Sequence, residues 1–449
     1  MGYDYDSVQR IDLMGFLSFM VQKWLRGLIG VGVVVASSAA AGDDEWPRFR
    51  GAGGTGSAAG VTYEGGVNKT RRAWSVSLAG AGSSSPVVWG QRIFVTSEDR
   101  SGGAVYLQCR RTGDGAAVWQ RTVEAGSYRT HKMNNTAAAT PAVDQNMVVF
   151  SWYHAGREAG VLSAFSHEGR HLWDYEIGSF KGAHGINIVP VIHKGSVVLA
   201  HLHQHGGYVA AISGATGQPE WKTFYPRHSP KTTYMTPLIR RQSRDPARFE
   251  VVISSTSTGV CGLDMEDGKE LWSLPGVFKE RCIVSPVNIL AGSGAASTII
   301  TAGCKKEGGN NVFLALRPPE GREAQAKVLW RLEQHAPYVP TPVSDGKTLF
   351  VLSDRGILQA VDPYSGKAKW TTKITGNFYA SPLLAGTTML CLSRDGELYS
   401  IDVSGAPKVV GIHDLEPGDE VTWVDSSPAL TGSGLFFRVG ARLDCYRNP

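Results

Sequence analysis

The chain has 449 residues, a formal net charge of +5 and an ordinary globular composition with 54 glycines. So small a charge over that length, with no run of basic residues, gives no case for a nucleic-acid partner. Length alone predicts two or three domains, but a repeat array that runs through the chain replaces that expectation with a single architecture.

Residues 1–45 stand apart from the array. Lys23 and Arg26 precede an apolar run from Leu28 to Val35, and Ser37, Ser38 and Ala39-Ala40-Ala41 follow. A positive patch, a short apolar core and an Ala-x-Ala site predict a secretory signal peptide over 1–41, with Gly42 as the mature start. The rival reading is a membrane anchor, but the run is about half of the ~20 apolar residues that a span needs. Asp4, Asp6 and Asp12 are unusual in such a leader, and translation from Met14 or Met20 would remove them. The mature chain is expected to be exported, to the periplasm or the cell exterior. Residues 42–69 form an N-terminal extension that contains Trp46-Pro47-Arg48-Phe49-Arg50-Gly51 and then a Gly/Ala/Ser-rich stretch.

The array occupies 70–449. Ser, Thr or Val followed by Pro recurs at Ser85, Thr140, Val189, Thr236, Ser285, Thr341, Ser381 and Ser427, at spacings of 40 to 56 residues. Six of these marks are followed by a tryptophan: Trp119, Trp173, Trp221, Trp272, Trp330 and Trp370. The unit from Tyr338 to Trp370 is the most regular. Its apolar runs are cut at Asp345-Gly346, at Asp354-Arg355-Gly356 and at Tyr364-Ser365-Gly366, which reads as four antiparallel strands joined by tight turns. The eighth unit ends at Cys445-Tyr446, before a fourth strand, while an unmatched fourth-strand segment containing Trp74 lies at the other end. The expected fold is all-β: an eight-bladed propeller of four-stranded blades, with the last blade completed by the N-terminal strand.

Three clusters stand out from the repeat. Arg129, His131, Asn134 and Asn135 precede Thr140-Pro141, and His184 and Asn187 precede Val189-Pro190. Both segments lead into an innermost strand, so they are candidates for a ligand site at one mouth of the channel; the plainer reading is strand-end capping. His201, His203 and His205 share one face of a strand, and His193 precedes them, a pattern that invites Zn or Cu. Same-face neighbours stand about 7 Å apart, which favours a solvated or pH-sensitive patch over a metal centre. Cys282 and Cys304 are equally far from the turn at Ser293, so they are expected to face each other as a disulfide candidate, against the alternative of two buried thiols. Asp264, Asp362, Asp402 and Asp444 recur at one repeat position and read as turn formers, not catalytic carboxylates.

The repeat ending Asp362-Pro363-Tyr364-Ser365-Gly366-Lys367-Ala368-Lys369-Trp370 and the Trp46–Gly51 opening together resemble the PQQ-like, quinoprotein-type propeller proteins that are exported. The resemblance covers about 46–449 and implies the fold, with each blade's tryptophan docked on a glycine turn of a neighbour: Trp74, Trp119, Trp173, Trp221, Trp272, Trp330 and Trp370. It implies two functional classes. One is a non-catalytic scaffold, expected to be monomeric, that binds an envelope protein, peptide or polysaccharide, as the related outer-membrane assembly propeller suggests. The other is a PQQ-dependent dehydrogenase holding quinone and Ca²⁺ in the channel. Such enzymes usually carry a vicinal Cys-Cys pair and large insertions, which this chain lacks, so the scaffold is the expected class, with no resident cofactor.

Overall fold

The computed structural model describes residues 44–447 except 59, 64–65, 69–70, 100, 102, 129, 132–133, 181, 183, 205, 226–230, 291–297, 306–310, 320–324 and 333. The expected leader and its cleavage site lie outside the described residues. The rest forms eight antiparallel sheets. Blade 1 comprises Val87–Trp89, Arg92–Asp99, Ala104–Arg111 and Ala117–Glu124. Blades 2 to 7 repeat that meander and begin at Ala142, Val191, Leu238, Val287, Val343 and Leu383.

Blade 8 contributes only Ala429–Thr431, Gly434–Val439 and Arg442–Tyr446 from the C-terminal end. Its outer strand is Arg72–Ser77, which pairs Trp74 with Cys445 and Val76 with Leu443. The two ends of the chain therefore share one sheet, and no blade is left with an open seam. Arg438 sews this blade to blade 1: its buried guanidinium donates to Ser84 Oγ at 2.8 Å and to Ser97 Oγ at 3.0 Å. Burial pushes that group down to about 9, so it stays charged at neutral pH.

Between blades, apolar faces stack into separate cores. Val149, Leu162 and Ala164 of blade 2 meet Val197, Leu199 and Ala210 of blade 3, for example. The tryptophans finish these contacts. Trp74, Trp119, Trp173, Trp221 and Trp330 each lie against a left-handed glycine of the next blade: Gly115, Gly169, Gly217, Gly268 and Gly366. A Cβ at Gly115 would stand 2.7 Å from the Trp74 ring, so only glycine fits there. Each indole N–H also reaches that turn's carbonyls, as Trp119 does to His167 O at 2.7 Å.

Two tryptophans depart from this pattern. The indole N–H of Trp272 donates to Glu250 Oε2 of its own blade at 2.8 Å, and its ring lies over Gly262. The glycine turn expected to receive it falls in 320–324, outside the described residues. Trp370 packs on Phe350 at 6.0 Å, and a Cβ at Gly405 of the next blade would meet nothing within 4 Å. The reason lies in the turn. Asp362 and Gly366 are four positions apart, but Asp402 and Gly405 only three, and Gly405 lacks the positive φ of its counterparts.

The recurrent aspartates fit the turn reading at three positions: Asp264, Asp362 and Asp402 each accept a backbone N–H two residues ahead, at 2.8, 3.1 and 2.9 Å. Asp444 differs because its blade is completed by the other end of the chain. It accepts from Ser75 Oγ at 2.6 Å and from Arg442 Nε at 2.9 Å.

Deleting Arg72–Ser77 removes an entire outer strand together with the Trp74 dock. The deletion should cost about 3 kcal/mol or more, the scale of losing one large aromatic, and lower the melting temperature of the whole ring in a single transition. An unchanged melting temperature in differential scanning calorimetry would contradict ring closure by this strand.

Candidate functional site

The innermost strands surround a channel, and the residue before each Ser/Thr-Pro proline forms a belt around it. The innermost strand of a blade has no inner neighbour within its own repeat, so its N–H groups need partners from elsewhere. The backbone N–H of Ser85 donates to Thr140 Oγ1 of the next blade at 3.0 Å. The same step runs from Thr236 to Ser285, Ser285 to Thr341, Thr341 to Ser381, Ser381 to Ser427 and Ser427 to Ser85, at 2.8 to 3.1 Å. The proline that follows has no N–H to satisfy. Among the described residues six of the eight steps are made; the two that are not both involve Val189, which has no hydroxyl to offer.

One end of the channel is stoppered by the chain's own extension. Glu45–Trp46 adds a fifth strand to blade 1 by pairing with Val88 and Trp89. Pro47 O then accepts from Val143 N of blade 2 at 2.8 Å. Arg48 Nη2 donates to Pro237 O of blade 4 at 3.0 Å, and Arg50 Nη1 to Thr341 O of blade 6 at 2.6 Å and Pro382 O of blade 7 at 3.4 Å. Gly56 O accepts from Leu384 N of blade 7 at 2.9 Å. Within this segment Trp46 lies against Gly51, a compact copy of the dock used between blades. Arg48 and Arg50 are buried against carbonyls, and burial pushes them down to about 10 and about 9.

Phe49 is the floor of what remains, a blind cup of about 240 Å³. Above the hydroxyl belt its wall is drawn from residues that precede the Pro marks: Asn134, His184 and Asn187, then Tyr234, Arg281, Tyr338, Tyr379 and Asp425. His184 packs at a tilt against His131, ring centroids 4.2 Å apart, and meets the edge of Tyr234 at 6.3 Å. Arg281 Nη1 donates to Tyr338 Oη at 3.2 Å. Asp425 receives both Nε and Nη2 of Arg394, at 2.7 and 3.0 Å. Arg394 in turn lies between the rings of Tyr379 and Trp423, 4.0 and 4.1 Å from their centroids. Burial raises Asp354 and Asp425, and burial with Arg281 and its other cationic neighbours pushes His184 down to about 4.

The candidates from the sequence divide accordingly. Asn134, His184 and Asn187 line the cup, and His131 lies behind His184 beside an adjoining cleft. Asn135 turns away: its amide donates to Ser83 Oγ at 2.8 Å and its oxygen caps Ala137 N at 3.0 Å, the capping role. Arg129 lies outside the described residues. Tyr234, Arg281, Tyr338, Tyr379 and Asp425 escaped notice because no cluster marks them. Their only signal is position, two to four residues before the belt residue of their own repeat.

His201 and His203 are neighbours, with ring centroids 4.7 Å apart, but both are buried, not solvated as expected. The inward face of their strand packs against Phe180 and Tyr208. His201 Nε2 is committed to Ser179 O at 3.0 Å. His193 pairs with Ser196 at the far end of the strand, so register keeps it from joining them. His205 lies outside the described residues, and among those described no group of three or more His, Cys, Asp or Glu could hold a metal ion. Cys282 and Cys304 do adjoin, bound by Lys305 N to Arg281 O at 3.0 Å, and stand as free, buried thiols, not as a bridge. Cys282 precedes the strand that begins at Val287, so the two are not ladder partners as the turn symmetry implied. Burial raises the Cys282 thiol.

With this geometry in place the likenesses to known proteins can be set out. A family profile described as outer membrane protein assembly factor BamB matches residues 112–281 and 320–429. No curated protein sequence matches significantly. Among solved structures, BamB from Moraxella catarrhalis superposes with a TM-score of 0.56 at 13% identity, over 84% of this chain and 97% of that one. A europium-containing methanol dehydrogenase gives 0.63 at 12%, over 89% and 90%. Quinohemoprotein alcohol dehydrogenase from Comamonas testosteroni gives 0.64 at 14%, over 91% and 81%. At such identities these likenesses carry the fold alone.

Val189→Thr supplies the missing acceptor for the Thr140 N–H. It should stabilise the protein by about 0.5–1.5 kcal/mol, the net worth of one hydrogen bond, read as a rise in the urea midpoint; a lower midpoint would contradict the belt. His184, His193 and His201 are depressed from 6.5 to about 4, about 4 and about 3, chiefly by burial. Below pH 6.5 the unfolded chain takes up protons that the fold refuses, so their stability is full above that pH and drains away towards pH 4. The raised carboxyls of Asp354 and Asp425 act in the opposite sense. His184→Gln should therefore lose less stability than the parent between pH 7 and 4.5; parallel profiles would contradict a neutral, buried His184.

Proposed function

The chain belongs to the family described as outer membrane protein assembly factor BamB, and from that premise we propose that it is a non-catalytic scaffold of the cell envelope, exported by its leader. It captures a protein, peptide or polysaccharide at the open mouth of its channel. The observation that carries this reading is the blind cup. Its floor is the chain's own Phe49, its wall a belt of hydroxyls, and its rim a set of aromatic and cationic side chains. Such a surface offers hydrogen bonds and flat apolar faces to an inserted ligand, the composition of a recognition pocket.

The residues that catalysis would need are committed elsewhere. Asp425, the one carboxylate of the cup wall, is held bidentate by Arg394. His184 has its ring packed at a tilt against His131, and its nearest companions are Tyr234 and cations, not a carboxylate that would orient it as a base. The quinoprotein alternative draws support from the dehydrogenases of like fold. A Ca²⁺-assisted quinone needs several oxygen ligands, carboxylates among them. The cup's donor set, one paired carboxylate with hydroxyls and amides, does not fit it.

The test is a photo-crosslinking amino acid placed in the living cell envelope at Tyr379 on the rim and, for comparison, at the exposed outer-turn residue Tyr364. Discrete adducts from Tyr379 that are missing from Tyr364 are expected; identical patterns, or none from the rim, would overturn the reading. Melting of the purified protein with PQQ and Ca²⁺ checks the alternative. No shift is expected, whereas binding at 100 times the dissociation constant would add about 2.7 kcal/mol and replace the scaffold with the enzyme.

A further inference from the structure

We propose that the cup is a carboxylate site that takes the free C-terminal end of a polypeptide, an inference that rests on the scaffold reading and names its ligand. The fold leaves two polar groups without partners on side chains that line the same cavity. Arg281 Nε is a buried donor with no acceptor, and Asn187 Oδ1 is a buried acceptor with no donor. Leaving either unpaired costs about 1–3 kcal/mol; both atoms are covered as the side chains stand, but both side chains line an open cavity, so a side-chain rotation on binding presents them to a ligand. One asks for an anion or carbonyl; the other asks for an N–H. A simple di- or tricarboxylic acid meets the first and not the second. A chain end meets both, because it presents a carboxylate beside a backbone amide.

The charge around the rim points the same way. Among the described residues Arg281 and Lys305 have no ion-pair partner. Their neighbouring carboxylates are occupied: Glu280 with Lys231 at 3.4 Å, and Asp354 with the Tyr338 and Val339 N–H groups at 2.7 and 3.2 Å. Both cations instead lie over tyrosines, Arg281 at 6.0 Å from Tyr234 and Lys305 at 5.7 Å from Tyr338. Across the cup, the Arg394–Asp425 pair is closed on itself. Of the two cations only Arg281 lines the cup, so the blade 4 to blade 6 arc is a wall of one unpaired cation between Tyr234 and Tyr338, while the belt hydroxyls below can serve any side chain. The size agrees: a cavity of about 240 Å³ above Phe49 has room for the last one or two residues of a chain and not for a folded domain.

The test is calorimetric titration of the purified protein with N-acetyl-Ala-Phe bearing a free carboxylate, with the same dipeptide as its C-terminal amide, and with benzoate. The acid should bind about tenfold or more tightly than the amide, the ratio that one charge-assisted hydrogen bond is worth, and more tightly than benzoate. Arg281→Gln should abolish the preference for the acid, Arg281→Lys should restore part of it, and both should keep the parent melting temperature. A merely structural role for Arg281 would weaken acid and amide equally and lower the melting temperature. Equal binding of acid and amide, or of neither, overturns the proposal, and benzoate as tight as the dipeptide overturns the chain-end assignment in favour of small acids. Rim cross-links without an acid preference would leave the scaffold and remove this ligand. An acid preference without cross-links would leave the site and remove the scaffold.

Discussion

The belt of hydroxyls around the channel is the constraint on which the rest depends. A propeller has eight inner edges facing one axis, and each edge strand exposes backbone N–H groups that sheet pairing cannot satisfy. Here the residue before the proline hands its N–H to the hydroxyl of the next blade at six of the eight steps, as Ser285 does to Thr341 and Ser381 to Ser427. The proline then removes the next donor altogether. The dipeptide that looks like a repeat mark is thus a joint. It holds the innermost strands of every blade but the third at one depth and makes each blade's position depend on its neighbour. The outer circumference uses a second joint, tryptophan on left-handed glycine, which tolerates exceptions at Trp272 and Trp370 because the inner belt already sets the geometry.

The belt also explains how the channel can be closed. The inner strands present to the axis a few N–H groups that the belt leaves over, such as those of Val143 and Leu384, and a row of carbonyls, which guanidinium groups seek. Arg48 and Arg50 bind those of Pro237, Thr341 and Pro382, so one short segment is tied to blades on opposite sides of the ring. Two buried charges without carboxylates are costly, and the cost is offset by the hydrogen bonds they make to the carbonyls. A tube becomes a cup with one open mouth. That asymmetry gives the molecule a face to work with, since the belt hydroxyls then form a wall below a rim of variable residues.

The rim carries the individuality of this chain. Regular blades place small or apolar side chains there, such as Ser83, Ala138, Ile283 and Val339, whereas others bring Asn187, Tyr234, Tyr379 and Asp425 to the same level. The scaffold reading and its carboxylate ligand rest on those departures and on Arg281 of blade 5, not on the repeat. Relatives with enzymes among them share the ring, which shows how little the ring itself says about chemistry.

The sequence by itself determined the architecture. Eight Pro marks, seven tryptophans and an unmatched Trp74 strand specify eight blades and the closure, because strand period, turn chemistry and blade packing are local and repeat. It also marked Asn134, His184 and Asn187, which stand out as polar residues before an innermost strand. Only the tertiary structure decided the cup. The plug reaches from residue 50 to residue 341, and the wall takes one or a few residues from blades far apart in the chain, so no window of sequence holds the pattern. The same holds for the misplaced expectations. Strand alternation put His201 and His203 on one face but not which face was buried, and turn symmetry made neighbours of Cys282 and Cys304 without fixing their register. Local rules set what each blade is; where eight blades bring their leftovers together is set by closing the ring.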